Sequence, residues 1–388
     1  MSDRTMDTYK RTGLVFVRGS GSTLEAENGR QYLDFTSGIG VNCLGHGNPA
    51  LADAIARQAA RLIHVSNYYQ SREAIELSEE LCVRTGMDAV FLCNSGAEAN
   101  EGAIKIARKF GESKSPARTT IVTLRGSFHG RTIATLAATG QDKFHEHFGP
   151  YPEGFVHVEP EDPSALEAAL GSEACALMLE PVLGESGVMP LSEGYLRHAA
   201  RLCAERGILL VSDEVQCGVG RTGSFLASER YGIRPDVVTL AKGLAGGVPV
   251  GAVLARGEAA KVLGRGDHGS TFGGNPLAAA AARVVLQILG ERGFLDRVAA
   301  KGARIAATVR SWKHPLVKEV RGVGLMVGIV VSVSPDRIKE LALSRGLLVL
   351  TAGSDVVRLL PPLVISDEEI DRGLGLLKEV LDAAGVAK

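Results

Sequence analysis

The chain has 388 residues, of which 45% are hydrophobic and 22% are charged, a composition typical of a folded globular protein. The formal net charge is −1, from 43 basic and 44 acidic residues, so the overall charge does not favour nucleic acid or an anionic membrane as a partner. Positive charge for an anionic substrate must therefore come from a few arginines placed at a site. A chain of this length predicts a large domain accompanied by a smaller one.

No apolar stretch reaches the length that spans a membrane, and residues 1–11 are polar, without the apolar segment of a signal peptide. The six cysteines form no C-x-x-C pair, and most of them have apolar neighbours in the sequence. This pattern favours reduced, buried thiols over a disulfide framework or a zinc site. We therefore expect a cytoplasmic protein without a bound metal.

Short apolar runs predict strands in the N-terminal segment at residues 14–17, 23–26 and 32–35, with a turn at Asn28 and Gly29. Beyond this segment, apolar runs of strand length alternate with stretches of helical period. The predicted strands cover residues 90–93, 121–124, 176–182, 208–215, 237–241 and 250–255, and the predicted helices cover residues 97–110, 131–138 and 195–206. Because the strand runs are continuously apolar, we expect both faces of their sheet to be covered.

Near residue 277 the pattern changes, and a long helical stretch reaches residue 289. It is followed by apolar runs at residues 327–333, 347–350 and 356–360, and by a final helical stretch at residues 367–384. We predict an α/β fold whose large domain has a mainly parallel central sheet covered by helices, with a smaller α+β domain built from the two chain ends. The large domain is predicted at residues 46–283, and the small one at residues 1–45 and 284–388.

Three short segments carry side chains suited to chemistry, and each follows a predicted strand. The first, residues 94–98 (NSGAE), opens a predicted helix, whose free N–H groups and positive end favour a phosphate. Ser95 adds a hydroxyl, and Gly96 allows the backbone to approach a ligand closely. Taken alone, the segment is explained more simply as a helix cap formed by Asn94 or Ser95.

The second and third segments, residues 212–216 (SDEVQ) and 239–243 (TLAKG), place Asp213 and Lys242 where strands end. Open α/β sheets bind ligands at this end of their strands. Asp213 needs a cationic partner there, which either an arginine or a protonated pyridine nitrogen would supply. Lys242 is either a surface lysine or a desolvated amine suited to Schiff-base chemistry. Together, the three segments offer a phosphate cradle, an acid for a ring nitrogen and an amine for an aldehyde, which are the partners that pyridoxal phosphate needs.

Further motifs extend these signals along nearly the whole chain: residues 94–100 (NSGAEAN), 128–132 (FHGRT), 213–223 (DEVQCGVGRTG), Lys242 and residues 269–276 (GSTFGGNP). In these residues and in their order, the chain resembles the class III aminotransferases of fold type I. At residues 66–69, 351–353 and 357–362 it is most similar to the acetylornithine aminotransferases.

The resemblance implies a role for each residue that matches a family motif. Lys242 would carry pyridoxal 5′-phosphate as a Schiff base and move the substrate proton, while Asp213 would pair with the ring nitrogen. The remaining cofactor contacts would come from Ser95, Gly96 and Ala97 at the phosphate, from Phe128 and Gln216 at the ring, and from Thr271 at the phosphate of the neighbouring subunit. The resemblance therefore implies a homodimer with shared active sites.

The resemblance also implies how the substrates are held. Arg131 would bind a carboxylate of the acyl-ornithine, Arg358 would bind the α-carboxylate of glutamate or 2-oxoglutarate, and Ser270 would lie near the substrate. Glu185 would pair with Arg358 and modulate which substrate fits. The family usually reads Gly-Glu-Gly-Gly around this glutamate, so Ser186 is a departure that restricts the backbone.

The implied reaction is the transamination of N2-acetyl-L-ornithine with 2-oxoglutarate, giving N-acetyl-L-glutamate 5-semialdehyde and L-glutamate, a step of arginine biosynthesis. Ornithine, succinylornithine, 4-aminobutyrate or a lysine-pathway intermediate are alternative amino donors. Decarboxylases and aminomutases also use this cofactor. A non-catalytic protein that only binds pyridoxal phosphate is the alternative from another class, and the presence of both Arg131 and Arg358 favours turnover over it.

Two other motifs suggest different chemistry. Residues 218–223 (GVGRTG) fit the glycine pattern of a dinucleotide-binding turn, but they lie mid-chain, with Arg221 and Thr222 where a pyrophosphate requires close approach. Residues 145–147 (HEH) could hold a metal, although a solvated polar turn is the simpler interpretation. We therefore favour neither a dehydrogenase nor a metalloenzyme.

Overall fold

The structure is a computed structural model that describes residues 4–386, with side chains described up to residue 385. Its strands are β1 (Phe16–Ser20), β2 (Thr23–Ala26), β3 (Gln31–Asp34), β4 (Ala89–Cys93), β5 (Thr120–Leu124), β6 (Phe155–Val158), β7 (Ala174–Leu179), β8 (Val182–Leu183), β9 (Met189–Pro190), β10 (Leu209–Asp213), β11 (Val237–Leu240), β12 (Gly251–Ala255), β13 (Val317–Val323), β14 (Met326–Val331), β15 (Leu347–Leu348), β16 (Leu350–Ala352) and β17 (Val356–Leu359). Its helices are α1 (Ser37–Gly40), α2 (Pro49–Arg61), α3 (Arg72–Thr85), α4 (Gly96–Glu112), α5 (Ile133–Ala138), α6 (Pro163–Ala169), α7 (Glu193–Arg206), α8 (Ala227–Arg230), α9 (Pro276–Leu289), α10 (Phe294–Ser311), α11 (Pro335–Ser344) and α12 (Asp367–Val386).

A seven-stranded sheet in the order β4-β12-β11-β10-β7-β5-β6 forms the centre of the fold. Its neighbouring strands are parallel, except that β12 is antiparallel to both β11 and β4. The predicted α/β fold with a mainly parallel sheet is therefore confirmed. Because β10 and β11 run in the same direction, their carboxyl ends meet at one edge, where Asp213 ends β10 and Lys242 follows β11.

Helices cover both faces of this sheet, as the side chains of β7 illustrate. Leu177 and Leu179 pack with apolar residues of α6 and α7, whereas Ala176 and Met178 pack on the opposite face with residues of α4. All six residues of β7 are buried. A strand covered on both faces has no polar side, which explains the continuous apolar run in the sequence.

Two smaller sheets contain the remaining long-range pairings. One is antiparallel, in the order β13-β14-β17-β16, and the other has the order β1-β2-β3-β15. In the second sheet β15 pairs in parallel with β3, with Leu347 opposite Leu33. This pairing joins the two ends of the chain in one sheet.

We propose, on the basis of that pairing, a small domain formed by residues 1–45 and 284–388 beside a large domain of residues 46–283. Residues 1–3 and 387–388 of this division lie outside the described residues. One continuous apolar core contains residues from both proposed domains, including Leu33, Leu240 and Leu359, so the two units are closely packed.

Two predicted strands end earlier in the structure than in the sequence interpretation. The strand predicted at residues 208–215 ends at Asp213, because Glu214 turns into the core and accepts the N–H of Ser228 at 3.0 Å. The strand predicted at residues 176–182 likewise ends at Leu179, two residues before a proline that has no N–H to donate. In both cases a local side-chain feature ends a run whose apolar pattern continues.

Helices α2, α3, α10 and α11 are also absent from the sequence prediction. Most of their residues are polar or small, and few are buried: in α2 these are Leu51 and Gln58, and in α3 Leu77 and Leu81. Across residues 4–386, none of the helices is both long and apolar enough to cross a membrane.

Candidate active site

A cavity of about 440 Å³ lies at the carboxyl ends of β10 and β11. Eight of the predicted site residues line it: Ser95, Gly96, Ala97, Phe128, Arg131, Asp213, Gln216 and Lys242. They come from connections that follow different strands of the central sheet, so the fold assembles them from distant parts of the sequence. The other four predicted residues, Glu185, Ser270, Thr271 and Arg358, lie outside the lining of this cavity.

The N-terminal end of α4 forms one wall of the cavity. Ser95 is the N-cap, and its hydroxyl accepts the N–H of Glu98 at 3.2 Å. Glu98 in turn accepts the N–H of Asn94 at 2.6 Å, which fixes the start of the helix. The serine hydroxyl accepts this bond and keeps its own O–H as a donor, so its predicted contact with a phosphate stays a prediction. The N–H groups of Gly96 and Ala97 lie in the first turn, where a helix supplies no backbone acceptor, and they are available to an anion.

Asp213 lies at the base of the cavity with only 2% of its surface exposed. Its Oδ2 lies 2.8 Å from Nδ1 of His129 and accepts a hydrogen bond from Nδ2 of Asn100 at 2.7 Å. Its Oδ1 accepts the N–H of Val215 at 3.0 Å. Contacts on both oxygens fix the orientation of this buried carboxylate, which is suited to hold a cationic group inside the cavity.

Lys242 begins a 3-10 turn directly after β11 and has a φ of 38°, in the left-handed region that is unfavourable for residues other than glycine. Its side chain is half-buried. Burial lowers the pKa of its amine, although the carboxylates of Asp213, Glu185 and Glu180 act in the opposite direction. A lysine with a lowered pKa keeps more of its amine neutral, and only the neutral amine is nucleophilic.

Glu180 follows β7 and connects two segments of the site. Its Oε1 accepts the N–H of Phe128 at 2.8 Å, and its Oε2 accepts the N–H of Gly184 at 3.3 Å. Burial and the neighbouring Asp213 raise the pKa of Glu180 to about 7. This carboxyl group therefore fixes the backbone of the phenylalanine segment relative to the connection that follows β7.

Arg131 lies at the mouth of the cavity and is exposed. The central carbon of its guanidinium is 5.4 Å from the ring centroid of Phe128 and 4.1 Å from that of Phe144. The two rings pack edge to face at 5.7 Å. The aromatic contacts restrict the position of the guanidinium, and its N–H groups can then bind a carboxylate.

Arg358, on β17, is buried beside the cavity, with 3% of its side chain exposed. Its Nη1 donates to Oε1 of Glu185 at 2.6 Å, to Oε1 of Gln216 at 3.0 Å and to the carbonyl of Gly184 at 3.1 Å. Its Nε is buried and finds no hydrogen-bond partner within residues 4–386. Because Gln216 lines the cavity, this group of side chains adjoins it, and the unpaired donor of Arg358 is suited to an incoming anion.

Glu185 keeps its charge in this arrangement. Burial opposes the charged form, but the guanidinium of Arg358 holds the pKa of the carboxyl group below its ordinary value. Nε2 of Gln216 also donates to Oε1 of Glu185, at 3.2 Å. Glu185 is 28% exposed, so it can leave the arginine for solvent more readily than the arginine can move.

Ser270 and Thr271 lie on the loop before α9. The hydroxyl of Ser270 accepts a hydrogen bond from Nδ2 of Asn94 at 3.1 Å and the N–H of Gly273 at 3.0 Å, which places it one residue away from the cavity. Thr271 is exposed and lies outside the cavity lining of its own chain. The role predicted for Thr271 concerns the cofactor of a neighbouring subunit and stays a prediction.

The two motifs that suggested a dinucleotide-binding turn and a metal site do not line the cavity. Arg221, in the glycine motif at residues 218–223, is buried and donates to the carbonyls of Leu325 at 3.0 Å and Pro361 at 2.6 Å, so this segment packs against the C-terminal part of the chain. At residues 145–147 the glutamate and the second histidine are exposed. Over the described part of the chain, no group of three or more His, Cys, Asp or Glu side chains is arranged to hold a metal ion.

The sequence model of the family described as aminotransferase class-III matches residues 5–381. The chain belongs to the class-III aminotransferases. It is 48% identical to the acetylornithine aminotransferase of Gloeobacter violaceus over 381 residues, covering 97% of this chain and 95% of that protein. Among solved structures, the N-acetylornithine aminotransferase of Stenotrophomonas maltophilia superposes with a TM-score of 0.85 at 38% identity, covering 98% of both chains. An ornithine aminotransferase of Toxoplasma gondii, with partial occupancy of PLP at its active site, superposes with a TM-score of 0.93 at 34% identity, covering 98% of this chain and 92% of that one.

Class-III aminotransferases use pyridoxal 5′-phosphate, and the cavity of this aminotransferase fits that group. A Cβ on Gly96 would stand 2.6 Å from Cγ1 of Val215, so glycine lets α4 begin this close to the end of β10. We propose that the first turn of α4 holds the phosphate, Asp213 faces the ring nitrogen and Lys242 attaches the cofactor covalently. The donor set of the cavity thus matches the phosphate, the ring and the aldehyde of the cofactor.

Three side chains of this aminotransferase are important in the structure but are not among the predicted site residues; of these, His129 is expected from the sequence only as a local structural or substrate-adjacent group. Asn100 and His129 orient Asp213, and Glu180 fixes the backbone at Phe128. Glu180 follows an apolar strand, as Asp213 ends one, so the rule that ligands bind at strand ends could have found it. Asn100 lies within α4, and its contact depends on how that helix packs against β10.

Proposed function

We propose that this aminotransferase moves the side-chain amine of N2-acetyl-L-ornithine to 2-oxoglutarate, producing N-acetyl-L-glutamate 5-semialdehyde and L-glutamate. The Gloeobacter violaceus and Stenotrophomonas maltophilia relatives are acetylornithine aminotransferases, which supports the same amino donor for this chain. The product pair places the enzyme in arginine biosynthesis. A cytoplasmic location is part of the same proposal.

The arrangement of the two arginines carries the proposal. Arg131 is exposed at the mouth of the cavity, whereas Arg358 is buried and paired with Glu185. N-acetylornithine has one carboxylate and a neutral amide, so Arg131 alone can bind its charge. Glutamate and 2-oxoglutarate have two carboxylates and require a second guanidinium. One open arginine and one covered arginine suit an enzyme that alternates between these two kinds of substrate.

Each half of the reaction depends on proton movement at named atoms of the chain. When bound, pyridoxal phosphate withdraws electrons from the carbon that carries the amine and makes the proton on that carbon acidic. Nζ of Lys242 accepts and returns this proton, for which its lowered pKa is favourable. Asp213 keeps a proton on the ring nitrogen, and Phe128 forms the wall beside the ring. Glu185 leaves Arg358 when a substrate with two carboxylates enters.

Replacing Arg358 with alanine is expected to raise the KM for 2-oxoglutarate by about 30-fold to 1,000-fold, because a buried, charged hydrogen-bond donor to the substrate is lost. The KM for N-acetylornithine should change less than about threefold, since that substrate leaves Arg358 paired with Glu185. The measurement is a steady-state analysis with each substrate varied in turn.

The matched control for this experiment is Arg131→Ala. Because Arg131 is the arginine open to both substrates, its loss should raise the KM for N-acetylornithine at least as strongly as the KM for 2-oxoglutarate. Equal weakening of both substrates by Arg358→Ala would contradict the separate roles proposed for the two arginines.

The amino donor can be tested from the visible spectrum of the purified holoenzyme, without 2-oxoglutarate. N-acetylornithine is expected to remove the cofactor absorption faster than ornithine, succinylornithine or 4-aminobutyrate do at equal concentration. Ornithine is the main competitor, because the Toxoplasma gondii structure with a TM-score of 0.93 is an ornithine aminotransferase. If ornithine reacts fastest, the aminotransferase assignment stands and the donor assignment is wrong.

We infer that the enzyme works as a homodimer. Tyr68 and Phe272 are large aromatic side chains with 94% and 63% of their surface exposed. Asn67 donates to the carbonyl of Ser270 at 2.8 Å, so the segments that carry the two aromatic side chains lie side by side. Exposed aromatic side chains such as these are enriched where another subunit binds. Thr271 directly precedes Phe272 and is exposed like it, which agrees with the predicted contact of this residue with the neighbouring subunit.

A further inference from the structure

Residues 184–187, here called the glutamate loop, carry the side chain that covers Arg358. Hydrogen bonds of its backbone hold this loop toward β7 and the C-terminal part of the chain. The N–H of Gly184 donates to the side chain of Glu180 at 3.3 Å. The carbonyls of Glu185 and Gly187 accept the N–H of Gly353 at 2.9 Å and Nε of Arg321 at 2.8 Å, respectively. These contacts fix the loop on the side that faces β7 and the C-terminal part of the chain. On its other side, the loop is held by the side chain of Ser186.

The hydroxyl of Ser186 donates a hydrogen bond to the carbonyl of Gly126. The same carbonyl accepts Nε2 of Gln141 at 3.3 Å, and the N–H of Gly126 donates to the carbonyl of Gly140 at 2.7 Å, so the acceptor is itself fixed. Gly126 has a φ of 81° and leads directly into the segment that carries Phe128 and Arg131. Ser186 thereby connects the loop that covers one arginine to the segment that carries the other.

The position of the loop decides how often Arg358 is covered. The short contact of 2.6 Å between Nη1 of Arg358 and Oε1 of Glu185 requires the backbone at Glu185 to stay in place. A loop that moves more populates this contact less, because pairing then costs more conformational entropy. Removing the hydroxyl of Ser186 frees one side of the loop, and replacing the residue with glycine also widens its backbone freedom.

We propose that Ser186 is a positioning residue that holds the glutamate loop against Gly126, keeps Glu185 on Arg358, and so sets the preference for amino donors with one carboxylate over glutamate. The inference rests on the proposed function, because it assumes that glutamate uses Arg358 and that N-acetylornithine does not. A ligand that needs the uncovered arginine binds with an apparent affinity reduced by the fraction of molecules in which Arg358 is uncovered. Ser186 keeps that fraction small.

The test measures the first half reaction of the holoenzyme by the loss of cofactor absorption, with N-acetylornithine or glutamate as the only substrate. In Ser186→Gly, the apparent dissociation constant for glutamate is expected to fall by about threefold to tenfold, the effect of losing one hydrogen bond that favours the covered state. The limiting rate with glutamate and both constants for N-acetylornithine should stay within about twofold of the wild type. Ser186→Ala keeps the Cβ and removes only the hydroxyl, so it should show the same shift at reduced size.

Ser311→Ala is the matched control. Its hydroxyl also donates to a backbone carbonyl, that of Thr308 at 2.7 Å, but it lies at the exposed end of α10. This variant should leave the ratio of the apparent dissociation constants for N-acetylornithine and glutamate unchanged. If both Ser186 variants keep the wild-type ratio of these two constants, including the case in which both constants change equally, the role proposed for Ser186 is overturned.

The same data separate this inference from the proposed function. If the wild type reacts faster with ornithine or 4-aminobutyrate than with N-acetylornithine, the donor assignment fails. The role of Ser186 is then decided by the apparent dissociation constant for 4-aminobutyrate, which has one carboxylate, divided by that for glutamate. A rise in this ratio in the Ser186 variants supports the positioning role, and an unchanged ratio overturns it.

Discussion

Replacing Lys242 with alanine is expected to lower kcat by about 10⁴-fold or more, because the variant loses both the covalent attachment of the cofactor and the base that moves the substrate proton. The absorption band of the covalently bound cofactor should disappear as well. Both effects follow from the placement of this half-buried amine in the cavity, directly after β11. The measurements are steady-state turnover with N-acetylornithine and 2-oxoglutarate, and the visible spectrum after addition of pyridoxal phosphate.

Lys261→Ala provides the matched control, since Lys261 is an exposed lysine that also lies in a 3-10 turn after a strand of the central sheet. It should retain the activity and spectrum of the wild type. The Lys242 variant should also keep a cooperative thermal unfolding transition, because the side chain that is shortened lines the cavity and is not part of the apolar core. Normal turnover by Lys242→Ala would rule out the proposed mechanism.

Replacing Asp213 with asparagine is expected to slow proton removal from the substrate by about 10²-fold to 10³-fold, comparable to the loss of one preorganised electrostatic contact in other enzymes. A neutral amide cannot hold the proton on the ring nitrogen as a carboxylate does. Binding of pyridoxal phosphate should weaken far less, since the first turn of α4 and Lys242 remain. A deuterium isotope effect at the amine-bearing carbon, measured in the half reaction, reports the proton step directly.

Asp236→Asn is the control for this variant. Asp236 is also an acid beside the central sheet, where it accepts the N–H of Leu210 at 2.9 Å and pairs with Arg256 at 3.2 Å, at the end of the sheet away from the cavity. Its replacement tests whether loss of any such carboxylate slows the reaction through altered folding. Equal rates of proton removal in Asp213→Asn and the wild type would exclude the role proposed for Asp213.

Asp213 and Lys242 illustrate how much of the site is predictable from the sequence. Each comes at or just after the end of an apolar run of strand length, and both strands are parallel members of one sheet. The ends of parallel strands meet at a common edge whatever their order in the sheet. For this reason, the strand pattern predicts that the two side chains lie at the same edge of the sheet, and the direct pairing of β10 with β11 brings them close together.

Arg358 illustrates what the sequence pattern does not contain. Its contacts with Gln216 and Glu185 join residues separated by 142 and 173 positions, and they bring β17 of a smaller sheet to the edge of the central one. No local period encodes such a contact, because it depends on how the two sheets are packed. The resemblance to a family predicts a role for Arg358, but only the structure shows which side chains it contacts.

Helices with narrow apolar faces form the other part that the sequence does not predict. In α10, Val298, Ile305 and Val309 are buried at helical spacing, but they stand seven and four residues apart among alanines and charged residues. The environment of Asp213 is similarly hidden, because Asn100 and His129 approach it from two different segments. Both features become visible only when the elements are packed together.

The pairing of β15 with β3 has a consequence for the way the chain folds during its synthesis. Leu33 meets its partner Leu347 only after most of the protein has been made. At about 5 to 20 residues per second, a ribosome needs roughly 15 to 60 s to pass from β3 to β15. Throughout that interval one edge of β3 has no strand beside it and is open to incorrect pairing. The sheet that contains β1, β2 and β3 is therefore completed later than the central sheet, whose last strand ends at Ala255.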